Sequence, residues 1–94
     1  MTMTRMDVEL GKTFGIEVES NPSTGYVWEP IFDKEFLDLL GEEFERRSDR
    51  IGAGGTSEFS FIPLRIGRTH LTMQLRRPWE TEAADILEYD IEIL

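Results

Sequence analysis

The side chains that could support catalysis are few and lie far apart in the sequence. The chain has one histidine, His70, and no cysteine. Ser23 could serve as a nucleophile only with a base beside it, and His70 is the candidate base. His70 occupies a polar position of an alternating segment, so its side chain is expected to face solvent. We therefore expect no catalytic residue and no enzymatic activity.

Metal and cofactor sites are not indicated by the residue types present. Without cysteine and with a single histidine, the chain lacks the ligands that zinc prefers. The neighbouring carboxylates Glu42 and Glu43 have no context that favours acid–base chemistry. The glycine-rich stretch at 52–55 is not followed by the Lys-Ser or Lys-Thr of a phosphate-binding loop. We expect neither a metal nor a cofactor.

The charge of the chain limits its partners. The 94 residues carry a net charge of −9 at pH 7, which disfavours nucleic acid and anionic membranes and favours basic partners. No apolar run reaches the length of a transmembrane helix. The N-terminal residues lack the apolar segment of a signal peptide. A cytoplasmic location is therefore expected, or a periplasmic or secreted one if a leader has been removed.

Apolar and polar residues alternate along most of the chain, which is the pattern of strands with one buried face. The clearest alternating segments are residues 6–10, 14–18, 58–61, 70–75 and 87–93. Turn-forming residues separate them at regular intervals, which is typical of an all-β sandwich. No repeat or linker divides the chain, so one domain spanning residues 1–94 is expected.

The sequence also predicts the environment of Trp28 and the local structure of the stretch at 32–47. Trp28 follows a polar loop and is expected to pack in the core of the sandwich. The stretch at 32–47 is ambiguous, and we expect a short helical turn followed by a strand at 43–47. The apolar residues expected on that helical turn are Phe36, Leu37, Leu39 and Leu40.

Three loops have unusual compositions. The first, at 21–25, combines a proline that fixes the backbone with a glycine that permits positive φ. The second, at 52–55, has three glycines, which allow a sharp turn or the close approach of another chain. The third, at 77–79, places an arginine and a tryptophan, two residues enriched in binding hot spots, around a strand-ending proline. In a Greek-key sandwich these loops would lie side by side at one end.

These three loops, read as NPSTGYVW, GAGG and RPW, give the chain a specific resemblance. It resembles the chagasin-type inhibitors of papain-like cysteine peptidases, whose signature is Asn-Pro-Thr-Thr-Gly before aromatics, then Gly-x-Gly-Gly, then Arg-Pro-Trp. The resemblance extends from about Val8 to Ile93. It implies an immunoglobulin-like Greek-key β-sandwich of about seven strands without disulfides. It also implies a monomer that inhibits a papain-like peptidase, such as a cathepsin L-type enzyme, reversibly and tightly.

The resemblance also implies how the loops would bind. The first loop would cover the catalytic cysteine and histidine of the peptidase, the glycine loop would contact the cleft wall, and the third loop would pack on the primed side. Ser23 stands where the family has its first threonine, which keeps the hydroxyl and loses a methyl. The expected peptidase-binding residues are Asn21, Pro22, Ser23, Thr24, Gly25, Gly52, Ala53, Gly54, Gly55, Arg77, Pro78 and Trp79.

One further function class stays open from the residues alone. An immunoglobulin-like binding or adhesion module could recognise a glycan or a protein through the loop that contains Trp79. Such a module would depend on Trp79 for binding its ligand and would leave peptidases unaffected.

Overall fold

The alternating segments form two packed β-sheets in a computed structural model that describes residues 3–50 and 52–94. The described strands are β1 (Met3–Val8), β2 (Phe14–Ser20), β3 (Val27–Phe32), β4 (Leu37–Arg46), β5 (Gly55–Pro63), β6 (Gly67–Arg76) and β7 (Asp85–Ile93). One sheet has the order β1-β7-β6-β3 and the other β2-β5-β4. The expected all-β sandwich is confirmed. No helix within the described ranges is long and apolar enough to cross a membrane.

The core lies between the sheets, because the apolar member of each alternating pair points inward. Phe61 on β5 is fully buried, stacks on Phe14 of β2 at 5.7 Å between ring centroids, and meets the edge of Phe32 of β3 at 5.3 Å. This aromatic cluster joins the two sheets. Trp28 is partly buried and packs against the core, as expected.

The prediction of a helical turn carrying Phe36, Leu37, Leu39 and Leu40 is wrong. Only a single turn is present before β4, and in it the backbone N–H groups of Phe36 and Leu37 both donate to Asp33 O at 3.1 Å. From Leu37 onward the chain pairs with β5, and the strand ends at Arg46. A register shift between Leu39 and Gly41 breaks the alternation and leaves Leu40 exposed. That irregularity made a strand look helical in sequence.

Leu10 also departs from its sequence pattern. Its spacing from Met6 and Val8 places it on the buried face of a continuous strand, yet its side chain is 46% exposed. Strand β1 ends at Val8. The following residues form a turn in which the Lys12 N–H donates to Glu9 O at 3.1 Å. The turn removes Leu10 from the two-residue alternation.

The strand pairing brings three connections to one end of the sandwich. Ser20 at the end of β2 and Arg46 at the end of β4 both lie opposite Gly55 at the start of β5. In the other sheet, the start of β3 lies opposite the end of β6, and the end of β6 opposite the start of β7. We call residues 21–26, 47–54 and 77–84 together the loop end. Ile51, within it, lies outside the described residues.

The outer face of the smaller sheet carries a row of like charges. Glu58 on β5 lies in register with Glu17 on β2 and with Glu43 on β4. Carboxylates directly opposite each other across antiparallel strands repel. The row therefore opposes the pairing within the sheet β2-β5-β4, in which β4 and β5 carry the second loop.

Replacing the central carboxylate tests this repulsion. We expect Glu58→Gln to raise the free energy of unfolding by about 0.2–1 kcal/mol, since it removes the charge shared by both like-charge pairs. The gain should shrink on going from about 20 mM to about 300 mM salt, because salt screens exposed charges. Urea unfolding at both salt concentrations measures it.

Glu9→Gln is the matched control for this prediction. Glu9 is exposed and forms an ion pair with Lys12 at 2.9 Å, so its neutralisation should bring no gain. A Glu58→Gln variant no more stable than Glu9→Gln would show that the carboxylate row does not oppose the fold.

Candidate functional site: the loop end

The first loop is a closed turn and not an extended segment. Residues Pro22–Thr24 form one turn of 3₁₀ helix. Asn21 caps it, since its Oδ1 accepts from the Ser23 N–H at 3.3 Å and from the Ser23 hydroxyl at 2.6 Å. Gly25 ends the turn with φ +82°, a conformation that favours glycine, and its N–H donates to Pro22 O at 3.2 Å.

The stems of the first loop are tied together across the two sheets. The indole Nε1 of Trp28 on β3 donates to Glu19 O on β2 at 2.8 Å. One residue precedes the loop and the other follows it, so this bond closes the loop at its base. The bond also fixes the partly buried indole ring at the edge of the core.

Both hydroxyls of the turn are used to hold its own shape. Ser23 donates to Asn21 Oδ1, and Thr24 Oγ1 donates to Asn21 O at 2.7 Å. The side chain of His70, on β6, lies 3.4 Å from a carboxylate oxygen of Glu88. Ser23 and His70 therefore point to different partners and do not form the nucleophile–base pair that an enzyme would need.

Asn21 joins the first loop to the second. Its Nδ2 donates to Gly52 O at 3.1 Å, across 31 positions of sequence. The second loop is closed by the Arg47 N–H, which donates to Gly54 O, and by the Ala53 N–H, which donates to Arg50 O, each at 3.1 Å. The amide of one side chain thus sets the distance between two loops.

The three glycines of the second loop have different structural roles. Gly52 has φ +81° and open space around it. A Cβ on Gly54 would lie 3.1 Å from Ser20 O, so this glycine allows the two loops to approach each other. A Cβ on Gly55, which is buried in β5, would overlap the Glu45 carbonyl and the Phe44 ring. Two of the three glycines therefore serve packing within the protein.

Arg77 joins the first loop to the third. Its Nε donates to Thr24 O at 3.3 Å, and its guanidinium lies 4.4 Å from the centre of the Tyr26 ring. The same group lies 5.9 Å from the Trp79 ring. Arg77 is thus packed between two aromatic rings and acts as a cation–π link between loops.

Trp79 is the most exposed aromatic side chain of the loop end. It is 73% exposed, and the edge of its ring lies beside Gly25, where a Cβ would come within 3.4 Å of Cη2. The turn that carries it is closed by the Glu80 N–H, which donates to Arg77 O at 2.9 Å. An exposed indole on an ordered turn can bury a large apolar area against a partner.

The structure therefore places all twelve sequence-predicted site residues at one end of the sandwich. Sequence reasoning did not give Asn21 or Arg77 their roles as links, and it did not include Tyr26 or Phe44, which flank the loops. An aromatic directly after the Asn-Pro-Ser-Thr-Gly stretch was the available signal for Tyr26. Within the described ranges, no group of three His, Cys, Asp or Glu side chains could hold a metal.

Comparison with known proteins gives matches along almost the whole chain. The family model of the chagasin family peptidase inhibitor I42 matches residues 7–93. Amoebiasin-2 of Entamoeba histolytica is 29% identical over 68 residues, which cover 69% of this chain and 55% of that protein. Chagasin of Trypanosoma cruzi is 26% identical over 86 residues, covering 85% of this chain and 78% of that protein. The match thus spans little more than half the length of the Entamoeba relative.

Solved structures share the fold. The crystal structure of the cysteine protease inhibitor EhICP2 from Entamoeba histolytica superposes with a TM-score of 0.86 at 24% identity, covering 97% of this chain and 86% of that one. PbICP-C, solved in complex with falcipain-2, superposes with a TM-score of 0.73 at 14% identity, covering 98% and 88%. The immunoglobulin-like sandwich expected from the sequence is confirmed by these neighbours.

The link made by Asn21 can be tested by two substitutions. Asn21→Ala removes both the cap of the turn and the bond to Gly52, so we expect a loss of about 0.5–2 kcal/mol in the free energy of unfolding. Amide resonances should shift in both 23–26 and 52–54. Asn21→Asp keeps the accepting oxygen and loses the donor, so its shifts should be concentrated at 52–54. Unchanged 52–54 resonances in Asn21→Ala would show that the loops are positioned independently.

Proposed function

The chain belongs to the chagasin family of peptidase inhibitors, and from that premise we propose that it inhibits papain-family cysteine peptidases by blocking the active-site cleft with the loop end. Inhibition would be reversible and tight, and the chain would contribute no catalytic step. The observation that carries this proposal is the linking of three loops into one surface by Asn21 and Arg77.

The shape of the first loop supports blockage without cleavage. A peptidase must place a scissile carbonyl among the donors of its oxyanion hole. Three carbonyls of the turn already accept hydrogen bonds within the protein: Asn21 O from Thr24, Pro22 O from Gly25, and Thr24 O from Arg77. Rotating any of them toward the catalytic residues would break these bonds. The turn would therefore occupy the catalytic centre as a poor substrate.

The remaining loops would flank that contact. Gly52 and Ala53 would approach the cleft wall, where Gly52 leaves the backbone uncovered. Pro78 and Trp79 would pack on the primed side, with the indole as the apolar anchor. Arg77 would act mainly by holding Trp79 and the first loop in place, since its guanidinium is engaged by Thr24 and Tyr26.

Tight binding would follow from the rigidity of this surface. Complexes of proteases with protein inhibitors bury roughly 1,600 Å² and lose little affinity to ordering when both partners are preorganised. Hydrogen bonds between the loops, together with Pro22 and Pro78, limit the conformations that the free protein must give up. The partner proposed is a papain-like cysteine peptidase of the cathepsin L type or similar.

The direct test is a titration of the protein against papain and a cathepsin L-type peptidase with a fluorogenic substrate. We expect stoichiometric or nanomolar loss of activity for at least one of them. Trp79→Ala should weaken inhibition by about 2 kcal/mol or more, roughly 30-fold in Ki, because the indole would be lost from the interface. Mass spectrometry after prolonged incubation should find the chain intact.

Ile66→Ala is the control for Trp79→Ala, since Ile66 is an exposed apolar side chain in the β5–β6 connection, at the opposite end. It should leave Ki unchanged. A bulky residue at Gly54 is a poor probe, because it would press on Ser20 within the protein. No inhibition of either peptidase at micromolar protein, or rapid cleavage within 21–25, would overturn the proposal.

A further inference from the structure

The tip of the β4–β5 hairpin is basic in a strongly acidic chain. Arg46, Arg47 and Arg50 lie within five positions, with Asp49 as the one carboxylate among them. The rest of the chain has seven basic and 18 acidic side chains, from totals of 10 and 19. Arg47 and Arg50 lie in the loop end, and Arg46 is the last residue of β4 next to it, so positive charge is concentrated beside the first loop.

Most cations of the described chain are paired, and two at this tip are not. Arg5, Lys12, Arg47, Arg65, Arg68 and Arg76 each lie within 4 Å of a carboxylate oxygen. Arg77 is engaged by Thr24 and Tyr26. Among the residues that the structure describes, Arg46 and Arg50 have no carboxylate within that distance. The same holds for Arg77, which is engaged as described, and for Lys34, which lies in the β3–β4 turn at the opposite end.

Arg46 and Arg50 line a groove that opens beside the first loop. Asn21, Pro22 and Ser23 of the first loop also line it, together with Phe44, Asp49, Gly52 and Ala53. The backbone near Arg50 is ordered by its own N–H, which donates to Ser48 Oγ at 3.2 Å. Two exposed guanidinium groups thus border a groove next to the turn proposed to enter the peptidase cleft.

We propose that this groove binds a carboxylate on the rim of the peptidase's active-site cleft. A guanidinium group can donate two parallel hydrogen bonds to a carboxylate, which gives geometric specificity as well as charge pairing. The inhibitor would then prefer peptidases whose cleft wall is acidic beside the hairpin. This inference rests on the proposed function and adds the chemistry that selects among targets.

The arrangement also has a kinetic consequence. The net charge of the whole chain repels an acidic peptidase, whereas the basic tip attracts its rim. Attraction confined to the binding end would orient the encounter and accelerate association at low ionic strength. Salt should therefore slow association with such a peptidase.

The test compares two double variants with the same net charge. Arg46→Gln/Arg50→Gln neutralises the tip, and Arg65→Gln/Arg68→Gln neutralises two arginines toward the opposite end of the sandwich. Against a papain-like peptidase that the wild-type protein inhibits, stopped-flow and dissociation kinetics give the rates at about 25 mM and about 300 mM salt. We expect the tip variant to raise Ki by about tenfold or more at low salt and to flatten the salt dependence. The control should change Ki by much less.

A double-mutant cycle between the inhibitor and the peptidase identifies the carboxylate that the groove binds. Aspartates and glutamates on its cleft rim are replaced singly by the matching amides. One of these changes should weaken binding of the wild-type inhibitor and have no further effect on the tip variant. Equal effects of the two double variants, or additive effects of every rim change, would overturn the inference while leaving inhibition itself intact. If the wild-type protein inhibits no papain-like peptidase, the proposed function fails and this inference fails with it.

Discussion

The side chain of Asn21 is the contact on which the loop end depends. One carboxamide caps the 3₁₀ turn through its oxygen and holds Gly52 of the second loop through its nitrogen. Arg77 adds the third loop by binding Thr24 O from the other side. The first loop is therefore the shared member of both links. Without them, three loops connected to different strands would each move on their own.

Strand pairing positions the three loops, and the hydrogen bonds of Asn21 and Arg77 make them rigid relative to one another. Antiparallel pairing brings the three connections to one end whatever their sequences are. Side-chain bonds then remove much of the freedom that exposed loops normally keep. The hydroxyls and carbonyls of the first loop are mostly committed to its own structure. The outer surface presents the backbone of Gly52 and the indole of Trp79. Next to them are Arg46 and Arg50 of the hairpin, which have no carboxylate within 4 Å among the residues that the structure describes.

Much of this arrangement could be predicted from the sequence. Two-residue alternation indicates a strand with one buried face, so the sandwich and its core could be predicted. The order of the three loops among the strands then placed them together. The prediction of a helical turn failed because the register shift near Gly41 disturbs the alternation of β4. Such an irregularity in strand pairing leaves no clear signal in the local sequence.

Other features depend on tertiary contacts and could not be predicted. The bond from Asn21 to Gly52 joins residues that are 31 positions apart. Gly55 looked like a site for a partner's backbone, yet Phe44 and Glu45 occupy that space within the protein. From the net charge of −9, basic partners were predicted. The net charge is a sum over the whole molecule and does not show where the positive charges lie. Only the pairing of individual charges shows that the tip of the β4–β5 hairpin differs from the rest of the described chain.

Amide hydrogen exchange of the protein, free and bound to a cathepsin L-type peptidase, tests the central claim most directly. The claim is that the three linked loops form one surface that fills the cleft. The predicted result is a gain of protection in all three loops, at 23–26, 52–54 and 79–80, with little change in the β5–β6 connection at the opposite end. Protection confined to one loop, or centred on the outer face of either sheet, would contradict it.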